Sequence, residues 1–131
     1  LADLPMAMTA HIVYQQIDPD NPATTSPRMI GDIIRGEIGF DGLLMSDDVS
    51  MKALSGDFSQ KARAILAAGC DVVLHCNGVM DEMTAVASAT PALAGRALER
   101  ARRALDLRAR AADEDEKRVR AEFDALARSV A

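Results

Sequence analysis

The residues of this chain with the clearest chemical potential are two adjacent carboxylates in the stretch GFDGLLMSDDVSM, residues 39–51. The apolar run at residues 43–45 predicts a buried strand, and Asp47 and Asp48 follow it after a single serine. A carboxylate at the end of a core strand can serve as a nucleophile, a general base or a metal ligand. The two carboxylates therefore allow several chemical roles, and the residues around them are needed to distinguish these roles.

Polar side chains also follow two other apolar runs. His11 comes directly after LPMAMTA, and Asn77 follows DVVLHC. Because the carboxyl ends of parallel strands meet on one face of a sheet, we expect His11, Asp47, Asp48 and Asn77 to gather there. Asn77 either hydrogen-bonds a ligand or shapes the turn with the glycine that follows it. His75 falls inside the third predicted strand, where a buried or pore-facing position fits it better than catalysis.

Alternating strands and helices must position these side chains. Apolar runs predict three strands, at residues 4–9, 42–46 and 71–76. Helical periodicity and capping residues predict helices that begin near Ser26, Ser59, Asp81 and Ala92, and a terminal helix over approximately 111–131. An apolar stripe that ends at Ile38 marks the inner face of the first helix. This alternation is typical of an α/β domain with a parallel sheet.

Composition narrows the classes of protein. The chain has 131 residues, of which 49% are hydrophobic, enough for one domain with a core. A net charge of −5 argues against a nucleic-acid surface, and the sequence contains no apolar run near the length of a membrane span. Cys70 and Cys76 match no metal or redox spacing, which favours reduced thiols in a cytoplasmic protein. The chain starts at Leu1, and we expect it to have been cut from something longer.

Three functions remain open from the residues alone. The first is an enzyme that uses Asp47 in catalysis. The second is a non-catalytic α/β module that binds magnesium or phosphate through Asp47 and Asp48, although such a site needs a further acidic residue and a lysine where this chain offers His11 and Asn77. The third is a structural or interaction fragment whose acidic pair only caps a helix. For Asp48 we expect capping or orientation of its neighbours.

Three blocks of the sequence resemble a known family. LPMAMTAHIVYQQIDPDNPATTSP, IIRGEIGFDGLLMSDDVSMKAL and AGCDVVLHCNG are similar to the C-terminal half of bacterial β-N-acetylhexosaminidases of glycoside hydrolase family 3, over roughly residues 1–105. The resemblance implies that residues 1–131 are the C-terminal portion of a single (β/α)8 domain of the TIM-barrel type. The chain would then supply the last three βα units of the barrel plus C-terminal helices.

The resemblance also implies an activity and a site. These enzymes remove terminal β-linked N-acetylglucosamine, chiefly from anhydromuropeptides during cytoplasmic peptidoglycan recycling, and they retain the anomeric configuration through a glycosyl-enzyme. The nucleophile corresponds to Asp47, and His11, Asp48 and Asn77 are expected in the sugar pocket. The implied partner is an amino-sugar or muropeptide substrate, with no cofactor and no metal. Because the nucleophile must stay ionised, we expect the Ser46 hydroxyl and backbone N–H groups to donate to it.

The sequence departs from the family in what it leaves out. It contains neither the KHFPGHG-like stretch nor the DSH loop that carries the acid/base in these enzymes. Three strand–helix units cannot close an eight-stranded barrel, which takes about 250 residues. We therefore expect little or no hydrolase activity from these residues alone. We also expect the open edges of the sheet to promote self-association.

Overall fold

The computed structural model describes residues 4–109 and 115–129, and within these ranges three strands form one parallel sheet. The strands are β1 (Met6–Met8), β2 (Leu43–Asp48) and β3 (Val72–Leu74), in the order β1-β2-β3. Met6 pairs with Leu43 on one side of β2. The parallel α/β prediction is confirmed, and β2, which carries the acidic pair, is the central strand.

The extent of each strand differs from the prediction. The two outer strands are shorter than expected, and His75 lies just beyond β3 instead of inside it. β2 is longer at its carboxyl end and reaches Asp48, because Asp48 still pairs with Leu74 and the N–H of Val49 donates to the Leu74 carbonyl at 3.0 Å. The acidic pair is therefore on the central strand, and its expected position in the following loop is wrong.

Helices follow each strand, as the sequence predicts. They are a short 3₁₀ turn (Ala23–Thr25), a π-helix (Met29–Glu37), α1 (Phe58–Ala68), α2 (Met80–Ala89), α3 (Gly95–Ala109) and α4 (Glu116–Ser129). α3 begins at Gly95 and not at Ala92. α4 occupies most of the predicted terminal helix, whose residues 111–114 and 130–131 lie outside the described residues. None of the described helices is both long and apolar enough to span a membrane.

The π-helix, Met29–Glu37, has wider turns than an α-helix. Ser26 caps it as predicted, since the N–H of Met29 donates to the Ser26 hydroxyl at 3.0 Å. At its other end the N–H of Ile38 donates to the Ile33 carbonyl, five residues back, at 2.8 Å. A stripe with a 3.6-residue period drifts around such a helix, so Ile30 is buried whereas Ile38 is 48% exposed. The predicted apolar stripe is thus only partly buried.

α1 is capped by Asp57 and not by the predicted Ser59. The N–H of Gln60 donates to the Asp57 carboxylate at 2.7 Å, and the N–H of Asp57 donates to the Gln60 side chain at 2.9 Å. This reciprocal pair is a capping box. The hydroxyl of Ser59 instead donates to the Ala85 carbonyl at 3.0 Å and so joins α1 to α2.

The core lies between the sheet and the helices that follow β1 and β2. Its most buried members include Ile30 of the π-helix, Leu44 and Val49 from β2 and its end, and Ala62 and Ile65 of α1. Burying a large aliphatic side chain contributes about 1.5–3 kcal/mol. This packing fixes β2 along its length up to the acidic pair.

An ionic cluster lies at the other end of the sheet. Asp71 directly precedes β3, and its carboxylate accepts from Arg35 at 2.8 Å, from Arg100 at 2.9 Å and from the N–H of Leu44 at 2.8 Å. Arg100 also donates to Asp41 at 2.9 Å. These bonds hold α3 against the amino ends of the strands, on the opposite rim from Asp47, where barrel folds place stabilising and not catalytic residues.

Candidate active site

Asp47 lies partly exposed near the carboxyl end of β2. Its Oδ1 accepts a hydrogen bond from the N–H of Asp48 at 2.8 Å. Among the residues that the structure describes, no donor is bonded to its Oδ2. One oxygen is therefore oriented by the backbone, and the other is available to a bound molecule.

The strand is irregular at this point. Met45 pairs with Val72 and Asp48 pairs with Leu74, so β2 holds one residue more than β3 between the two pairs. Such a β-bulge bends the strand and re-aims the side chain it carries, and bulges are common beside active sites. The bulge includes Asp47, so the irregularity sets the direction of its carboxylate.

Ser46 has a different partner from the one expected. Its hydroxyl is fully buried and accepts from the N–H of Leu74 at 2.9 Å. The bond joins β2 to β3 where the bulge interrupts the regular ladder. The expected bond from the backbone to Asp47 is present through the Asp48 N–H, whereas the expected bond from the Ser46 hydroxyl is replaced by the contact with β3.

The side chain of Asp48 is engaged by its neighbours on both oxygens. Oδ1 accepts from the N–H of Ser50 at 2.9 Å and from the N–H of Cys76 at 3.1 Å, and Oδ2 accepts from the Ser50 hydroxyl. Desolvation alone would raise the pKa of Asp48, but these bonds outweigh it and hold the pKa below its ordinary value. Asp48 thus stays ionised and links the ends of β2 and β3, in keeping with the expectation that it orients its neighbours.

His11 lies beside the acidic pair at the end of β1. The N–H of Thr9 donates to the Met45 carbonyl at 2.9 Å, which keeps the chain after β1 next to β2. The His11 ring bonds through Nε2 to the Asp48 carbonyl and through Nδ1 to the Thr24 hydroxyl, each at 2.9 Å. The structure therefore brings His11, Asp47 and Asp48 together, as the sequence predicts.

Thr24 was not predicted to belong to the site. It reaches His11 because the loop after β1 folds back, where the N–H of Ala23 donates to the Ile12 carbonyl at 2.8 Å. Asp18 orders the same loop by accepting from the Ser26 hydroxyl at 2.6 Å. That bond and the bonds from neighbouring residues lower the pKa of Asp18.

Asn77 follows β3 and is engaged with the start of α2. Its Nδ2 donates to Glu82 at 2.6 Å, and its Oδ1 accepts from the N–H of Val79 at 3.0 Å. His75 bonds to the same Glu82 oxygen at 2.9 Å, and the two bonds lower the pKa of Glu82, with the larger effect from His75. The His75 side chain is only 7% exposed and packs edge-to-face on Phe58, so it is buried as expected.

Glu82 is a second residue that the sequence analysis missed. A signal for it existed, because an acidic residue in the first turn of α2 follows a predicted strand end by a few positions. Such a residue is favoured there by the helix dipole, and it lies within reach of polar groups at the strand end. The bonds to Glu82 turn Asn77 and His75 towards α2.

The described residues contain no cluster of three or more His, Cys, Asp or Glu side chains arranged to hold a metal ion. Cys70 and Cys76 are free thiols. Burial raises the pKa of Cys70 to about 11, which keeps this thiol protonated and unreactive. Cys76 is exposed, and desolvation together with the nearby carboxylates of Asp48 and Asp47 raises the pKa of its thiol.

The class of protein that the fold defines is an α/β domain with a parallel sheet, and in this chain an acidic residue lies near the carboxyl end of the central strand. Comparison with known families agrees with this arrangement. The sequence profile of the Glycosyl hydrolase family 3 N terminal domain matches residues 2–107, and the chain belongs to this family.

Individual relatives are similar over part of the chain. A β-hexosaminidase of Alkalilimnicola ehrlichii is 51% identical over 76 residues, which cover 56% of this chain and 22% of that protein. A β-hexosaminidase of Bordetella avium is 42% identical over 92 residues, which cover 67% of this chain and 26% of that protein. The solved β-N-acetylhexosaminidase of Beutenbergia cavernae is 35% identical with a TM-score of 0.60, over 80% of this chain and 33% of that one. The chain thus spans about a quarter of the length of these curated relatives.

Proposed function

We propose that this chain supplies the nucleophile of a retaining β-N-acetylglucosaminidase, and that Asp47 is that nucleophile. The observation that carries the proposal is the state of the Asp47 carboxylate, with Oδ1 held by the Asp48 N–H and Oδ2 unbonded within the described residues. A retaining glycosidase needs such a carboxylate below the anomeric carbon. The names of the relatives, β-hexosaminidase and β-N-acetylhexosaminidase, support the amino-sugar substrate.

The proposed reaction has two steps. Asp47 Oδ2 attacks C1 of the sugar, the bond from C1 to the leaving oxygen breaks, and that oxygen takes a proton from an acid supplied by another part of the enzyme. Water then attacks C1 of the glycosyl ester and gives one proton to the group that acted as the acid, and the carboxylate of Asp47 leaves with both electrons of the ester bond. Each displacement inverts C1, so the β configuration is retained overall.

His11, Asp48 and Asn77 complete the proposed sugar pocket as parts of its wall. The polar side-chain atoms of all three are engaged by protein groups. These contacts support a role in shaping the pocket around the nucleophile. Asp48 and His11 fix the end of β2, and Asn77 fixes the turn between β3 and α2.

We further propose terminal, non-reducing β-linked N-acetylglucosamine of anhydromuropeptides as the substrate, within cytoplasmic recycling of peptidoglycan. This assignment rests on the resemblance of the sequence blocks around His11, Asp47 and Asn77 to family enzymes with that role. The free thiols of Cys70 and Cys76 are in keeping with a reducing compartment.

The same proposal makes the chain the last three βα units of a (β/α)8 barrel. The three-stranded parallel sheet supports it, because a barrel segment of this size would leave β1 and β3 unpaired on their outer sides. The isolated chain would then lack the proton donor and most of the pocket. We expect no measurable hydrolysis of an aryl N-acetylglucosaminide by the 131-residue chain, and turnover at the rate of a complete β-hexosaminidase would contradict the proposal.

Self-association of the isolated chain follows from the open edges. Along β1 and just before it, the apolar side chains of Leu4, Met6 and Met8 are each about half exposed (49%, 45% and 54%). An unpaired strand with apolar neighbours pairs readily with another chain. Light scattering should detect dimers or larger species whose proportion rises with concentration, and a monomer at all concentrations would argue against open edges.

A hybrid enzyme tests the proposed chemistry. The segment of the Bordetella avium β-hexosaminidase that matches this chain is replaced by the chain's own residues, and hydrolysis is followed by NMR. The first product should be the β anomer of N-acetylglucosamine.

The variant Asp47→Gly should abolish hydrolysis. Added azide can enter the space of the lost carboxylate, and with a substrate that has a good leaving group it should give the α-glycosyl azide. Asp32→Asn, an exposed carboxylate on the π-helix, is the matched control and should retain full activity.

An α anomer as the first product, or full activity in Asp47→Gly, would contradict the assignment of Asp47 as a nucleophile. Loss of activity in the Asp32→Asn control would show that the effect of Asp47→Gly is not specific to the site.

A further inference from the structure

The two peptide groups that flank the Cα of Asp48 each make a hydrogen bond at the site. Its N–H donates to Asp47 Oδ1 at 2.8 Å, and its carbonyl accepts from His11 Nε2 at 2.9 Å. The two peptide groups share the Cα of Asp48, so a displacement of this Cα moves both the carbonyl that His11 holds and the N–H that orients the Asp47 carboxylate. The position of the His11 ring is therefore linked to the orientation of Asp47.

The bonds of His11 determine its tautomer. A carbonyl oxygen only accepts, so Nε2 carries the proton that is donated to Asp48. In the neutral ring Nδ1 is then an acceptor, and it takes the hydroxyl proton of Thr24 at 2.9 Å. The Thr24 oxygen in turn accepts from the Thr9 hydroxyl at 2.9 Å, because the only proton of Thr24 is already donated. The result is a directed chain from Thr9 through Thr24 and His11 to the Asp48 carbonyl.

Both hydroxyl groups of this hydrogen-bonded chain are buried. Thr24 is 0% exposed and Thr9 is 6% exposed, so neither hydroxyl exchanges freely with water. A buried hydroxyl without a hydrogen-bond partner is unfavourable, which favours the connected arrangement. The chain thus holds the His11 ring from its buried side and presents Nε2–H to the strand that carries Asp47.

We propose that His11 and Thr24 are positioning residues for the nucleophile. They fix the Asp48 carbonyl and thereby the Asp48 Cα, which places the N–H that holds Asp47 Oδ1 while Oδ2 faces the sugar. This inference rests on the proposed function of Asp47. It assigns His11 an indirect role, since both ring nitrogens are already bonded to the protein and neither is left to bind a sugar hydroxyl.

Thr24 separates this role from direct sugar binding. A fully buried hydroxyl cannot touch the substrate, so a catalytic effect of its removal is indirect, and of its two bonded partners His11 is the one that is bonded to Asp48. Loss of a sugar contact raises KM, because it weakens binding of the ground state, whereas a misaligned nucleophile lowers kcat. The division of an effect between kcat and KM therefore distinguishes the two roles.

The hybrid enzyme described above carries the test. Thr24→Val keeps the shape of the side chain but removes the hydroxyl, and it should lower kcat about tenfold with KM within about twofold, the size expected from one hydrogen bond. His11→Ala should lower kcat at least as much, and His11→Gln, which keeps a donor for the Asp48 carbonyl, should recover part of the loss. Adding Thr24→Val to His11→Ala should cause no further loss, since the two residues act in one chain.

Thr24→Ser retains the hydroxyl and should have a kcat within about twofold of the unmodified hybrid. If Thr24→Val does not fold, the comparison of His11→Ala with His11→Gln, together with Thr24→Ser, still carries the test. An unchanged kcat in Thr24→Val, or a rise in KM alone in His11→Ala, would overturn the inference.

The accompanying Asp47→Asn variant should lose activity on the order of 10³-fold or more. Full activity in Asp47→Asn would overturn the proposed function, whereas an inactive Asp47→Asn beside a fully active Thr24→Val would overturn the positioning role alone.

Discussion

Asp71→Asn is expected to weaken the attachment of α3 to the sheet without touching the candidate site. The Asp71 carboxylate is 5% exposed and is bonded to two guanidinium groups, those of Arg35 and Arg100. Asparagine has the same shape as aspartate but carries no charge. Its amide NH₂ group, itself a donor, would replace one carboxylate oxygen that now accepts from a donor. The substitution therefore removes charge pairing in a poorly hydrated place and leaves the surrounding packing intact.

The size of the effect follows from what remains bonded. Removing one partner of a buried ion pair costs about 3–5 kcal/mol. Here Arg35 keeps its bonds to two backbone carbonyls, and Arg100 keeps its bonds to Asp41. The two arginine side chains are also 16% and 14% exposed, which allows some hydration. We therefore expect a loss of about 2–3 kcal/mol in the free energy of unfolding, below the full range.

Urea unfolding followed by circular dichroism measures this loss on the isolated chain. With a slope of about 1–3 kcal/mol per molar urea, a loss of about 2–3 kcal/mol should lower the midpoint by about 0.7–3 M. Asp41→Asn is the matched control, because Asp41 is 45% exposed and is also bonded to Arg100. It should cost no more than about 1 kcal/mol. Equal effects of the two substitutions would refute the reasoning that burial of Asp71 decides the cost.

Two further predictions concern pH and thiol chemistry. Hydrogen bonds from the arginines of α3, Arg100 first among them, lower the pKa of Asp41 from 3.8 to about 2. Since the folded value lies below the unfolded one, this contribution to stability is complete above pH 3.8 and is lost as the pH falls towards 2. Asp41→Asn should flatten the stability curve in that window, and an unchanged slope would contradict the assignment. A maleimide reagent should label exposed Cys76 in the native chain and buried Cys70 only after unfolding; equal labelling rates in the native chain would contradict the described burial.

The sequence was sufficient for the main elements because local patterns carry that information. The apolar run at residues 43–45 predicts a buried strand wherever it is placed, and Ser26 followed by proline predicts a helix start. The capping box of Asp57 and Gln60 is also recognisable in the sequence, since the two residues are three positions apart, but Ser59 is a competing candidate for the cap. Of these two neighbouring candidates, Asp57 is the cap because Gln60 bonds back to its N–H.

The extent of the central strand was not predictable in this way. β2 continues to Asp48 because Leu74 pairs with it across a bulge, and that pairing depends on the register of a distant strand. The acidic pair was therefore expected in a loop. A residue pattern along one strand does not reveal a bulge, which arises from the different number of residues on two paired strands.

The sequence predicted the residues of the candidate site that lie at strand ends, but not the one that a folded loop brings there. His11, Asp47 and Asp48 are grouped by the rule that parallel strands end on one face, which requires only element order. Thr24 is 13 residues from His11 in the chain and reaches it through the folding of a loop. Contacts of this kind depend on tertiary structure, and the local sequence contains no pattern that predicts them.

Covalent trapping tests the central claim most directly. The hybrid enzyme is inactivated with a 2-fluoro sugar that carries a good leaving group, digested, and its labelled peptide is fragmented by mass spectrometry. We expect one sugar on Asp47 and no label in Asp47→Asn. A sugar attached to Asp48 or to any other residue, with Asp47 unmodified, would contradict it.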